Sequence, residues 1–349
     1  PMGPMLDRIG PRIVMTSFLM IGALGAFVFA FANSFLVALL GRILIGVGMA
    51  SVLMGSMKVF ILRFSPDKFV TLVGLLQAVG TLGNIFAASP LAFLTSTIGW
   101  RMAFVIAGVV TAILTITAYR VLGGKKMGDG EVFSPTSSKP QIGVLPSIRL
   151  ILGSLAFWQI GFVAFFRYGT FVGLQGLWLG PYLIDIKGYS PVQAGNLIIL
   201  LAIGIIVGAP IAGRLSDRTF HSRKGVILGG LSLYCLSLFP LIGVLKIQSP
   251  IWFGLIFFFI GFFCSFGMVI YAHAKELFPI GISGTVMTWI NFFTMAGGAV
   301  FMPALGKVIE WFPRTDHSYP AEAYHLSFLI CFIGMAASLI FYAFSKKEK

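Results

Sequence analysis

Charge is scarce in these 349 residues: Asp, Glu, Lys and Arg make up 10% of the chain, against 58% hydrophobic residues. With a mean hydropathy of +0.96, there is too little polar side chain to cover a water-soluble domain. Acid is scarcer still, 11 Asp and Glu against 25 Lys and Arg, and none lies deep inside an apolar run. The visible runs therefore offer no embedded carboxylate as a proton carrier. The three cysteines, Cys235, Cys264 and Cys331, each sit within an apolar run, which excludes a disulfide framework or a metal cluster and leaves them as small core residues. The chain has no G-x-x-x-x-G-K-[ST], H-E-x-x-H or G-x-S-x-G, which removes direct ATP use, zinc hydrolysis and nucleophile-elbow chemistry. We expect no enzyme, no cofactor and no metal.

What the chain does have is long apolar runs, commonly twenty residues or more, which suits helices across a core about 30 Å thick and not the alternating strands of a barrel. The runs are Ile13 to Ala32, Phe35 to Leu62, Val70 to Leu94, Met102 to Leu122, Ile151 to Ile184, Ser190 to Ala212, Gly225 to Leu245, Ile251 to Ala274, Ile282 to Trp311 and Ala323 to Phe344. The fold class expected is all-α and polytopic, embedded in the lipid bilayer. The net charge of +14 does not indicate nucleic acid, because the basic residues lie in short connections between runs and mark topology. Most of them fall on one side, with the first loop, the Arg63/Lys68 loop, the polar stretch 123–150 and the Lys-rich tail, so that side is expected to be cytoplasmic, with both visible ends inside.

An internal repeat divides the chain. Gly3, Asp7 and Arg8 return as Gly213, Asp217 and Arg218, and Pro66 returns as Pro279, at nearly constant spacing and in the same direction. Two apolar runs precede the second Gly-x-x-x-Asp-Arg and none precedes the first, so the expected organisation is six plus six helices with ten of the twelve visible, the alternative being a natural ten-helix variant. The expected domains are 1–122, a partial first bundle (helices 3–6); 123–150, a cytoplasmic linker rich in Gly, Ser and Pro; and 151–349, a second bundle (helices 7–12) with a basic tail.

These residues resemble the major facilitator superfamily. Gly3, Asp7, Arg8, Gly10 and Arg12 match its loop signature G-x-x-x-D-R-x-G-x-R, and Gly213, Asp217 and Arg218 repeat part of it. Arg42, Gly46 and Gly48 in GRILIGVG resemble its fourth-helix motif, and Trp100, Arg101 and Phe104 resemble its entry to the sixth helix. The stretch Gly80 to Pro90 lacks the Gly-Pro pair of the drug-antiporter signature. The resemblance implies two bundles moving a small-molecule substrate by alternating access, in the cell (inner) membrane, as a monomer, with a proton or ion as a conceivable coupling partner. It also implies a cytoplasmic gate in which Asp7 and Asp217 meet helix N-termini and Arg8 and Arg218 pair with carboxylates across the bundle interface, the matching N-terminus being marked by Ser283 and Thr285. Arg63 and Glu276, at equivalent repeat positions, are candidates for the same network.

Cavity candidates come from charge and helical spacing. Arg167 lies mid-run, where a cation costs roughly 2.5–3.5 kcal/mol and so faces water or a partner. At about 100° per residue, Phe171, Gln175, Trp178 and Tyr182 share its stripe, opposite Gly169, Gly173, Gly176 and Gly180; Trp178 and Tyr182 are equally readable as an interfacial aromatic belt. Arg42, Gln77, Asn84 and Asn291 complete the candidates, with snorkelling open for Arg42 and plain interhelical hydrogen bonding for the amides. His273, near a run's end, is read as interfacial. With embedded cations and no acids, the function expected is secondary transport of a small anionic or polar organic solute. The alternatives are a proton-coupled drug or metabolite exporter, and a non-transporting sensor or degenerate fragment.

Overall fold

The computed structural model describes residues 2–65, 68–123, 144–220, 222–245, 248–314 and 318–345. They form thirteen α-helices: α1 (Met2–Arg8), α2 (Pro11–Ala30), α3 (Phe35–Arg63), α4 (Phe69–Gly123), α5 (Val144–Leu152), α6 (Leu155–Gly173), α7 (Leu179–Pro181), α8 (Pro191–Arg214), α9 (Arg223–Leu238), α10 (Pro250–Cys264), α11 (Val269–Leu277), α12 (Ser283–Ile309) and α13 (Ala321–Ala343). Nine helical stretches among the described residues are long and apolar enough to cross a membrane, and Phe69–Gly83 is a shorter apolar helix. The all-α, polytopic expectation holds.

Helix boundaries follow local chemistry. Ser34 accepts a hydrogen bond from the Val37 amide at the start of α3, and Ser190 with Gln193 forms a reciprocal capping box ahead of Pro191 at the start of α8. Two apolar runs expected as separate helices are joined in α4, with Gly99 at φ 81° as the kink between them. Part of the expected linker is the short helix α5; residues 124–143 lie outside the described residues. The third difference is in the run from Ile151 to Ile184, where π-helical turns at Leu174–Trp178 and Tyr182–Ile186 interrupt the α-helical repeat.

The described chain forms two compact units. Unit 1 is Pro1–Pro66, Gly83–Ile148 and Phe278–Thr288; unit 2 is Asp67–Leu82, Arg149–Leu277 and Trp289–Lys349. Thus the first turns of α12 belong with unit 1, and the first turns of α4 with unit 2.

In unit 1, α2 and α3 form a tight antiparallel pair. A Cβ at Gly22 would lie 3.4 Å from the Gly48 Cα, an approach that gives apolar helices van der Waals contact where lipid supplies no hydrophobic drive. The Phe29 ring lies 4.5 Å from Phe104 and 5.4 Å from Trp100, and Arg101 donates to the Ala32 carbonyl at 3.3 Å. In unit 2, α8 and α10 make the corresponding close pair. There Gly261 presses on the Leu201 backbone, with a built Cβ only 2.8 Å from the Leu201 carbonyl carbon.

A bulky side chain at Gly48 would have to enter the α2 backbone. Gly48→Leu is expected to cost about 1–3 kcal/mol, as other overpacked cores do, read as a lowered thermal midpoint of the purified protein; an unchanged midpoint would mean α2 and α3 are not held this closely.

Candidate functional site

The repeated motif performs the same local operation in each unit. In unit 1, Gly3 packs on the start of α12, where a Cβ would come 2.5 Å from the Thr285 Cα. One helical turn later Asp7 reaches the first-turn amides of that start, which no residue of the same helix accepts from. Its Oδ1 accepts from the Gly284 N–H at 2.9 Å, and its Oδ2 accepts from the Thr285 N–H at 2.9 Å and the Thr285 hydroxyl at 2.8 Å. In unit 2, a Cβ at Gly213 would lie 2.7 Å from the Thr71 Cα. Asp217 Oδ2 accepts from the Thr71 N–H at 2.8 Å and the Thr71 hydroxyl at 3.0 Å, near the start of α4. The glycine brings a helix end close and the aspartate, four residues on, faces the same way. Both carboxylates satisfy orphan helix amides and meet the positive end of a dipole.

The pairing cations are not the arginines next to the aspartates. Arg8 and Arg218 are exposed, because adjacent residues on a helix point about 100° apart. Asp7 pairs with Lys58 at 2.7 Å, both side chains buried, and Lys58 also donates to the Ser283 hydroxyl at 2.9 Å. Asp217 pairs with Arg223 at 2.5 Å, and Arg223 reaches Ser216 and Glu276, each at 2.9 Å. Arg63 and Glu276 do not share a network: Arg63 donates to the carbonyls of Val121 and Leu122 at the end of α4, whereas Glu276 belongs to the Arg223 cluster. Gly10, at φ 93°, is the turn between α1 and α2. Arg12, just inside α2, donates to the Tyr119 carbonyl at 3.2 Å and lies 4.1 Å from the centroid of the Tyr119 ring.

Sequence reasoning placed Asp7, Asp217, Ser283 and Thr285 at this chemistry but missed Lys58 and Thr71. The repeat could have flagged Thr71, which precedes Thr285 by nearly the motif spacing. Lys58 carried the signal of a cation within an apolar run.

A second group of polar residues lies in unit 2. Arg167 of α6 is 3% exposed, and its Nη1 donates to the Cys264 carbonyl at 3.2 Å. Its Nε is buried without a partner, and no carboxylate of the described residues is among its partners. Gly267 lies against this side chain, with a Cβ there only 2.9 Å from the guanidinium carbon, and the Tyr168 ring centroid is 5.9 Å away. Around it are two further polar contacts: Thr170 with Tyr234 at 2.8 Å, and the Tyr271 hydroxyl donating to Asn291 Oδ1 at 3.3 Å. Asn291 thus makes an interhelical bond from α12 to α11.

The stripe drawn by ideal helical spacing does not run straight. Phe171 is buried and Gln175 half-buried, but the Trp178 ring packs on Gly306 of α12, where a Cβ would be 3.1 Å from it. This is the partner helix that Gly169 and Gly173 also meet. The π turn at Leu174–Trp178 takes more residues per turn, and this rotates Trp178 off the Arg167 face. The opposed faces therefore hold for the first part of the run only. Arg42, in unit 1, is exposed, with its guanidinium 4.8 Å from Phe29 and 5.5 Å from Phe104. The carbonyl of Gln77 accepts from Thr81 at 2.9 Å, and the side chain of Asn84 lies outside the described residues. His273, expected at an interface, is fully buried and bonded through Nδ1 to the Tyr342 hydroxyl at 2.8 Å.

The sequence profile described as Major Facilitator Superfamily matches residues 1–302 and 162–349. The chain belongs to this family. Among superfamily structures, the Escherichia coli fucose:proton symporter FucP superposes with a TM-score of 0.75 at 15% identity, covering 99% of this chain and 86% of that one. Among relatives of this superfamily member, a probable hexose phosphate transport protein of Chlamydia muridarum is 33% identical over 165 residues, 46% of this chain and 35% of that protein. The chain thus spans about a third of that relative's length. A probable L-galactonate transporter of Escherichia coli is 24% identical over 372 residues, covering 100% of this chain and 77% of that protein.

Removing Asp7 alone would take from the buried Lys58 the carboxylate 2.7 Å away. Asp7→Ala is therefore expected to destabilise by about 3–5 kcal/mol, and the joint change Asp7→Asn with Lys58→Met by clearly less. Thermal unfolding of the three proteins gives the comparison; additive losses would show that the two side chains act independently.

Proposed function

We propose that this chain is a secondary active transporter of a small organic anion, working by alternating access between two bundles, residues 1–122 and 151–349, joined by 123–150. The observation that carries the anion is Arg167, a buried guanidinium with an unpartnered N–H whose hydrogen-bond partners among the described residues are the carbonyl and thiol of Cys264. A permanently charged fork in a low-dielectric setting is best satisfied by a carboxylate or phosphate, which it can bind in bidentate fashion. Relatives named for hexose phosphate and L-galactonate transport, both anionic solutes, favour the same class. Tyr168 and Gln175, half-buried beside and beyond Arg167 on the same segment, would supply ring contact and an amide to the organic part of the solute.

The two aspartate caps then serve as a gate at the basic, cytoplasmic side of an inner-membrane protein. Each links a motif from one half of the chain to the first turn of a helix from the other half. Opening that side requires both caps to release, and substrate shifts the equilibrium only through its difference in affinity between the two states.

In proteoliposomes, radiolabelled hexose phosphates and sugar acids are expected to exchange and neutral hexoses are not. Arg167→Gln should lower anion exchange about 10–100-fold, the loss expected for one hydrogen-bonded charge contact, with Arg167→Lys between. Equal exchange of neutral hexose, unaffected by Arg167→Gln, would overturn the assignment.

A further inference from the structure

A cavity of about 210 Å³ lies in unit 1, lined by Gly10, Pro11, Arg12, Val59, Leu62, Arg63 and Leu122. It is separate from the aspartate caps and from Arg167. Two guanidiniums meet there, one from the start of α2 and one from the end of α3. Arg12 lies across the end of α4, where a Cβ at Gly123 would collide with its guanidinium, and gives one N–H to the Tyr119 carbonyl. Arg63 gives one N–H each to Val121 and Leu122. Each guanidinium carries five N–H donors, so both keep donors to spare. The carbonyls at the end of α4 fix their positions without neutralising them, and among the described residues no carboxylate lines the cavity.

The walls decide what kind of anion fits. Val59, Leu62 and Leu122 are apolar, and Ile9, Ile13, Phe64 and Val121 nearby are exposed, as suits helix ends at a membrane interface. The volume is below the range of pockets that enclose a whole drug-sized ligand. It suits a headgroup fragment whose remainder lies outside. Two cations facing one small space favour a phosphate, and an apolar rim favours a phosphate that carries acyl chains.

We propose that this cavity binds the phosphate of an anionic phospholipid from the leaflet that meets the basic helix ends. Bound there, the lipid would tie together the start of α2, the end of α3 and the end of α4. This is the end of unit 1 at which Asp7 and Lys58 hold the start of α12.

The test is native mass spectrometry of the intact detergent-purified chain, titrated with dioleoyl phosphatidylglycerol, dioleoyl phosphatidylcholine or inorganic phosphate. The expected result is one phosphatidylglycerol retained in preference to phosphatidylcholine. Arg12→Gln and Arg63→Gln should each weaken it about fivefold, as expected for one basic residue at an anionic lipid surface, and the double change should abolish the preference. Arg120→Gln, an exposed cation near the same end of α4 and outside the cavity, should leave it unchanged. Arg63→Lys keeps the charge, so it should retain the preference even if the glutamine variants fold poorly. The proposal is overturned if the two lipids bind equally, if Arg120→Gln weakens binding as much as Arg63→Gln, or if inorganic phosphate binds in the cavity while phosphatidylglycerol shows no preference.

Discussion

A carboxylate held against the open end of a helix is the contact on which the rest of this structure depends. A helix start in a membrane protein exposes amides that must find an acceptor. Here the acceptor comes from another segment, and it can reach only because a glycine one turn earlier lets two backbones approach. Gly3 with Asp7, and Gly213 with Asp217, are therefore each one device. The glycine sets the distance and the aspartate uses it. The buried carboxylate in turn needs a cation, and the cation must come from a third helix, because the neighbouring arginine points elsewhere. Lys58 and Arg223 meet that need.

Much of this was legible in the sequence, and the reason is that the signals were local. Apolar run length set the helices, Lys/Arg placement suggested the sidedness, and the spacing of Gly3 and Asp7 encoded a single helical turn. Ser283 and Thr285 were findable because a helix start must lie just before an apolar run. Lys58 was visible only as a cation within an apolar run; its partner was not, because a cation's partner is chosen by tertiary packing. Repeat symmetry also misled at one pair. Arg63 and Glu276 stand at equivalent positions, yet one caps the carbonyls of α4 and the other joins Arg223, since opposite charges at matched positions seek different partners. The stripe from Arg167 to Trp178 bent at a π turn, and nothing in the residue pattern announces where the backbone will leave the α-helical repeat.

The two caps are built alike but neutralised differently. Asp7 shares one lysine, which also holds Ser283; Asp217 shares an arginine that is itself divided between Ser216 and Glu276. The second cluster is thus a network of two acids and one cation, in which Arg223 stays paired to Glu276 whatever Asp217 does. The first joins Asp7 to a lysine that also holds the Ser283 hydroxyl at the start of α12.

That difference bears on how a gate of this kind could open. If α12 withdrew from Asp7, the carboxylate would lose three hydrogen bonds and the helix its cap, but Lys58 would remain beside Asp7. If α4 withdrew from Asp217, Arg223 would remain beside it. In neither case would opening strand a buried charge, the step that costs most. What is lost is capping, about 0.5–2 kcal/mol per helix end, together with the Lys58–Ser283 hydrogen bond at the first, and water can repay part of it at a helix start near the surface. Such a sum is comparable to the 1–3 kcal/mol over which a ligand typically couples two states. Keeping the cations on the same side of the break as the aspartates is what would let a charged contact of this kind part without leaving Asp7 or Asp217 unpaired.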